Sequence, residues 1–221
     1  MQPNHHSEAS QPLSMQSIVT SRMSREEINA LPIKKWHGPT HLISCKEQIE
    51  YVMPLLEQTS VLGFDTETRP AFHKGQQYLP SLLQLATDKE VFLFQLKQIG
   101  LPDSISEVLS NRKIAKVGVA ITDDVQGLQK LSPFSPAGFI ELAKLGKTHN
   151  IQHFGLRGLA AATMGIRIPK SKKISTSNWA QKKLSPGQLQ YAATDAWIGR
   201  EIFLRLSNEA RVSREHCITS T

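Results

Sequence analysis

Val61-Leu62-Gly63-Phe64-Asp65-Thr66-Glu67-Thr68 is the stretch on which the reading of this chain turns. Its Val, Leu, Phe and Thr residues suit a buried strand. Two acids, Asp65 and Glu67, interrupt the apolar run two positions apart. Side chains two apart on a strand point to the same face. Carboxylates placed that way repel each other and, in a poorly solvated site, lose hydration as well. A divalent cation relieves both penalties. The competing reading is an exposed edge strand whose polar face carries the pair.

Outward from that strand, Lys46–Glu57 reads as an amphipathic helix, His41–Ser44 as a short strand, and Ser24-Arg25-Glu26-Glu27 as a helix start. On the other side, Leu82–Thr87 and Glu90–Gln95 are strands, and Asp88-Lys89 between them is a hairpin signal. Ser104–Ser110 is expected to be helical, Ala115–Ala120 to be a further buried strand, and Phe139–Leu142 a last short one. A helix begins near Thr122. Leu156–Met164 has helical spacing and ends at Gly165. Ser185-Pro186-Gly187-Gln188 forms a capping box with proline in the first turn, opening a helix to about Leu206. Consecutive strands followed by strands alternating with helices predict an α/β fold, a mixed central sheet flanked by helices. The expected organisation is a polar, disordered tail over residues 1–23, one domain over 24–208, and a second tail over 209–221.

Further acids stand out by context. Asp195 sits mid-helix among Ala192, Ala193, Ala196, Trp197 and Ile198, surroundings apolar enough to bury it. Tyr191 lies four residues earlier on the same helical face, so a Tyr–Asp pair tying the helix to the core would account for both. Asp123 and Asp124 open the helix after the Ala115–Ala120 strand, a place where acids commonly complement the helix dipole.

Together these segments resemble the DEDD 3′-5′ exonuclease superfamily in its tyrosine-bearing subclass. Val61–Thr68 resembles the first motif, Gly118-Val119-Ala120-Ile121-Thr122-Asp123-Asp124 the second, and Tyr191-Ala192-Ala193-Thr194-Asp195-Ala196 the third. Ser177-Asn178-Trp179 also looks like that subclass. The similarity runs from about Lys46 to Leu206, and is closer to Werner-type exonuclease domains than to ribonuclease D. It implies a ribonuclease H-like fold and a metal-dependent 3′→5′ exonuclease that releases nucleoside 5′-monophosphates. It implies two divalent ions, Mg²⁺ or Mn²⁺, held by Asp65, Glu67, Asp124 and Asp195, whose hard oxygens suit either metal. Four carboxylate charges balance two dications. In this reading Asp65 bridges the metals, Glu67, Asp124 and Asp195 complete their shells, and Tyr191 orients the attacking water. The second-motif acid falls on Asp124, with Asp123 one residue early. DNA is the favoured substrate. The alternatives are ribonuclease D-like trimming of RNA 3′ ends and a nucleic-acid-binding module with an inactive site.

Charge supports a nucleic-acid partner. The chain carries +7 overall, yet no acid lies between Glu141 and Asp195. Nine Lys and Arg residues fall in that gap, leaving 17 against 19 Asp and Glu elsewhere. A long single-sign segment suggests a surface that meets phosphates. Lys170, Lys172 and Lys173 are the candidates for tracking the strand; Trp179 is a candidate for base stacking or for the core; Phe72 follows the first motif closely enough to sit near the terminal nucleotides. His149 and His153 are four apart and would suit zinc on a helix, but no third ligand lies nearby. Cys45 and Cys217 belong to no ligand cluster and read as free thiols. No apolar run reaches membrane-spanning length, and an intracellular location in cytoplasm, nucleoid or nucleus is expected.

Overall fold

The computed structural model describes residues 17–71, 73 and 75–219, with side chains as far as Glu209. In chain order its elements are α1 (Arg25–Ala30), β1 (Thr40–Ile43), α2 (Lys46–Glu57), β2 (Val61–Thr68), β3 (Pro80–Ala86), β4 (Val91–Gln95), α3 (Leu96–Ile99), α4 (Asp103–Ser110), β5 (Ala115–Gly118), α5 (Ile121–Leu131), β6 (Phe139–Glu141), α6 (Leu142–Thr148), α7 (Leu156–Met164), α8 (Lys172–Ser175) and α9 (Pro186–Thr219). The six strands form one mixed sheet in the order β1-β4-β3-β2-β5-β6. β2, β3 and β4 meander antiparallel, while β1 joins β4, and β5 and β6 join β2, in parallel.

Both sheet faces are covered. On one, Val52, Leu56, Ile105 and Leu128 of α2, α4 and α5 pack on Leu62, Phe64, Leu85 and Phe94. On the other, α6, α7 and α9 bury Leu142, Leu159, Ile198 and Ile202 with Val117 of β5. Further along α9, Ala192, Ala193 and Ala196 pack with Leu82, Ala86 and Leu93. This two-sided cover explains why β3 and β4 read as continuous apolar runs rather than alternating ones.

α9 lies unusually close to β2. A Cβ on Gly63 would stand 1.9 Å from the Ala196 carbonyl oxygen, so only glycine permits this crossing. The run of alanines on α9 serves the same end. The result is that the turn of α9 bearing Asp195 rests directly over the carboxylate strand.

The capping box at α9 forms as expected: the Gln188 N–H donates to Ser185 Oγ at 3.2 Å, and the Ser185 N–H donates to Gln188 Oε1 at 2.9 Å. Two boundaries are corrected. Residues 17–23, assigned to a disordered tail, are docked on α7: Ile18 joins its apolar cluster, the Val19 N–H donates to the Ala162 carbonyl at 2.9 Å, and the Met23 N–H donates to His153 Nε2 at 2.9 Å. One apolar side chain and a few backbone bonds outweigh the polar composition of that stretch. The remainder of the expected tail, residues 1–16, lies outside the described residues. At the other end α9 continues to Thr219, well past Leu206. Nothing between Ser207 and Thr219 is Gly or Pro, so no residue type stops the helix.

Candidate active site

The carboxylate-bearing strand β2 presents Asp65 and Glu67 toward α9, while Thr66 points to the opposite face. Asp65 Oδ1 accepts the Thr66 N–H at 2.9 Å. The Thr66 hydroxyl donates to Asp124 Oδ1 at 2.5 Å. That bond distinguishes the two acids of the doublet in their surroundings: Asp124 is half-buried against β2 and Asp123 is exposed. The start of α5 is set by Ala120, whose φ of 59° is left-handed. Glu141 secures the same end, since its two oxygens accept the Ile121 and Ala143 N–H groups, each at 3.1 Å.

From α9, Asp195 is 9% exposed and Tyr191 is half-buried, with its hydroxyl in hydrogen-bonding reach of the Asp195 carboxylate. The Tyr191 ring leans on Trp179 at 6.2 Å between centroids, and Trp179 Nε1 donates to the Ser175 carbonyl at 3.2 Å. Trp179 therefore fixes the tyrosine from behind.

The four acids share one electrostatic environment. Burial, with the charges of Asp195 and Asp124, holds the Asp65 carboxyl well above its ordinary range. Burial and the charges of Asp65, Asp195 and Asp124 push Glu67 up to about 9. Burial pushes Asp195 up to about 7, opposed by the Tyr191 hydrogen bond. Burial also raises Asp124, opposed by its bond from Thr66. Tyr191 is raised by burial and by Asp195 and Glu67, which keeps its hydroxyl protonated; it is a donor, not a base. Among the described residues no Lys or Arg forms an ion pair with any of the four acids. Nor do three of them converge to bonding distance of one point in these side-chain positions. The cluster gathers four carboxyl groups with no cationic partner among the described residues and supplies only oxygen donors. That donor set fits hard divalent cations, without a coordination shell closed in advance.

A largely apolar cavity of about 230 Å³ adjoins this cluster, lined by Lys35, Pro169, Ser171, Ile174, Tyr191 and Asp195. Lys35 reaches it because its neighbour Trp36 is clamped to α9: the Trp36 N–H donates to Thr194 Oγ1 at 3.1 Å, and Gln190 Nε2 donates to the Trp36 carbonyl at 2.6 Å. Asp124 borders a second recess, which includes Tyr78, Pro80 and Lys130.

The basic segment divides in two. Lys170, Lys172 and Lys173 are exposed beside the cavity residues Ser171 and Ile174. Arg157 and Arg167 instead bind the N-terminal segment, donating to Asn29 Oδ1 at 2.6 Å and to the Leu31 carbonyl at 2.9 Å. Trp179, one candidate for base stacking, is 1% exposed and belongs to the core; its flanking polar residues form a loop over an apolar site. His149 and His153 do not share a helix, because Asn150 breaks it at a φ of 59°, and His153 Nε2 is taken by the Met23 N–H. Phe72 lies outside the described residues. Thr66, Glu141 and Lys35 went unnoticed in the sequence. Thr66 carried a signal, a hydroxyl between two motif acids; the other two act through contacts that no local pattern announces.

Residues 40–211 match the family described as 3′-5′ exonuclease. Over 168 residues the chain is 30% identical to the bifunctional 3′-5′ exonuclease/ATP-dependent helicase WRN of Mus musculus, a match covering 74% of this chain and 12% of that protein. Among solved structures, the Nibbler EXO domain of Aedes aegypti superposes with a TM-score of 0.70 at 23% identity, covering 79% of this chain and 91% of that one. Escherichia coli RNase D, described as an exoribonuclease involved in structured RNA processing, superposes with a TM-score of 0.69 at 19% identity, covering 79% and 46%. Both structures share the ribonuclease H-like sheet and its helical cover.

Proposed function

The chain belongs to the 3′-5′ exonuclease family, and from that membership we propose that it removes nucleotides from the 3′ end of a DNA strand with two divalent cations, releasing nucleoside 5′-monophosphates. The observation that carries this reading is the quartet of Asp65, Glu67, Asp124 and Asp195, the last buried and the other three partly buried, with no cationic partner among the described residues. Those four would hold the cations, and Mg²⁺ or Mn²⁺ fits their oxygens. When bound, such a pair activates a water and stabilises the leaving oxygen. Tyr191, kept protonated, donates from its hydroxyl and fixes the Asp195 carboxylate. The apolar cavity beside them offers a face for a nucleobase, and Lys35 stands at its edge for a phosphate. Lys170, Lys172 and Lys173 extend that positive edge along the strand.

DNA is placed first because the sequence resembles Werner-type exonuclease domains. The second reading, trimming of RNA, is favoured by the likeness to RNase D, an exoribonuclease by its description. A competition assay decides between them: equal amounts of 5′-labelled DNA and RNA of one sequence, single-stranded and with recessed 3′ ends, in Mg²⁺, Mn²⁺ or EDTA. A larger kcat/KM on DNA, lost in EDTA, is the expected result; a larger value on RNA installs the second reading. Tight binding with no shortening of either strand in any metal reduces the protein to a binding module.

A further inference from the structure

Gln84 is a fully buried amide on β3 with neither polar atom satisfied: among the described residues, its Nε2 and Oε1 meet no hydrogen-bond partner. Natural cores rarely tolerate such a group without a purpose. Its position narrows the purpose. Gln84 pairs directly across the sheet with Asp65 on one side and with Leu93 on the other. Directly paired residues share a face, with their Cβ atoms roughly 5 Å apart. Along β3 the flanking residues on that face are Leu82 and Ala86, and α9 packs over it through the buried alanines 192, 193 and 196 and the partly buried Leu189, Tyr191 and Trp197. Among the side chains that flank Gln84 in the sheet, Asp65, Leu82, Ala86 and Leu93, only that of Asp65 offers a hydrogen-bond acceptor. Asp65 Oδ1 is engaged by the Thr66 N–H, whereas no described residue donates to its other oxygen.

We propose that Gln84 is a positioning residue for the carboxylate site, its amide N–H being the donor that Asp65 takes up when the site binds a divalent cation. An amide suits the place better than a charged donor. A lysine there would neutralise Asp65 and compete with the cation, whereas the glutamine orients the carboxylate and leaves its charge intact. The unmatched amide is then a group held ready for Asp65. This inference rests on the metal-dependent reading of the site.

The test is calorimetric titration of Mn²⁺ into the full chain, with melting temperatures of the cation-free proteins measured alongside, for wild type, Gln84→Leu and Gln84→Met. Both substitutions keep the volume and remove the polar atoms. The expected result is Mn²⁺ affinity lowered about 10-fold or more in both variants, with cation-free melting temperatures equal to or above wild type. Wild-type Mn²⁺ affinity in both variants overturns the proposal. So does a lower cation-free melting temperature in both, which would mark Gln84 as a packing residue. Absence of Mn²⁺ binding by wild type itself overturns the metal-dependent reading and this inference with it, an outcome distinct from a failure of Gln84 alone.

Discussion

Asp65 shows what one residue contributes and what it costs. Its carboxyl is buried beside Asp195 and Asp124, so the protein without cations carries repulsion that a neutral side chain would remove. Asp65→Asn is expected to raise the melting temperature of the cation-free chain by about 2–4 °C for each kcal/mol of repulsion relieved. The same change is expected to lower kcat/KM by roughly 10³-fold, the equivalent of several kcal/mol of transition-state stabilisation. Calorimetry and a degradation assay on one preparation check both. Tyr191→Phe should cost less, about 10–100-fold, because it removes an orienting hydrogen bond and leaves the four acids. Its effect should fall on kcat more than on Mn²⁺ affinity. Asp65, Glu67 and Asp195 stand out in the sequence because each interrupts an apolar pattern that otherwise predicts burial; Tyr191 stands out by its four-residue spacing from Asp195, and Asp124 only through the family resemblance. Lys35 and Glu141 were not, since their roles come from Trp36 clamped to α9 and from two helix N-termini meeting at one carboxylate.

At the scale of elements, the decisive contact is α9 crossing β2 at Gly63. It brings residues 65 and 195, distant in sequence, into one charge cluster. Gly63→Ala places a methyl against the Ala196 carbonyl and must lift the helix. The expected cost is about 1–3 kcal/mol of stability, together with loss of activity, because the displaced helix carries both Tyr191 and Asp195. Chemical denaturation and the degradation assay measure the two effects. The long elements were readable from sequence: α2, β2 and α7 begin and end where the apolar pattern and Gly165 put them. α3, α6 and α8 were not anticipated, at four, seven and four residues. Such segments span two turns or fewer, too short for a 3.6-residue period to emerge, and their helical form depends on what they pack against. For Trp179, read from sequence as either a base-stacking or a core residue, burial selects the core.

At the scale of the whole molecule, an acidic centre sits beside a surface of lysines. Lys170, Lys172 and Lys173 are exposed, and each phosphate they neutralise adds about −0.7 to the slope of log affinity against log salt for a single strand. Replacing all three by Gln is expected to flatten that slope by about 2, measured by fluorescence anisotropy across a KCl series. The centre sets the response to pH. Glu67 is raised to about 9 and Asp195 to about 7, from ordinary values of 4.5 and 3.8. Between the ordinary and raised values the native chain retains protons that the unfolded chain has lost. Stability of the cation-free protein therefore falls as pH rises through about 4 to 9, and the penalty is absent below the ordinary carboxylate range. Cations displace those protons, so apparent Mn²⁺ affinity should rise over the same window. Melting curves at pH 5, 7 and 9, with and without Mn²⁺, should diverge as pH increases.

In the proposed function, this carboxylate cluster cuts the last phosphodiester bond of a strand from its 3′ end. The most direct measurement is a single-turnover digestion of an oligonucleotide whose only label is the phosphate joining its final two nucleotides. In Mg²⁺ or Mn²⁺ the first labelled product should be the terminal nucleoside 5′-monophosphate, absent in EDTA and with Asp65→Asn. Label emerging first in an internal oligonucleotide or as free phosphate, or remaining in the intact strand while the protein stays bound, would contradict it.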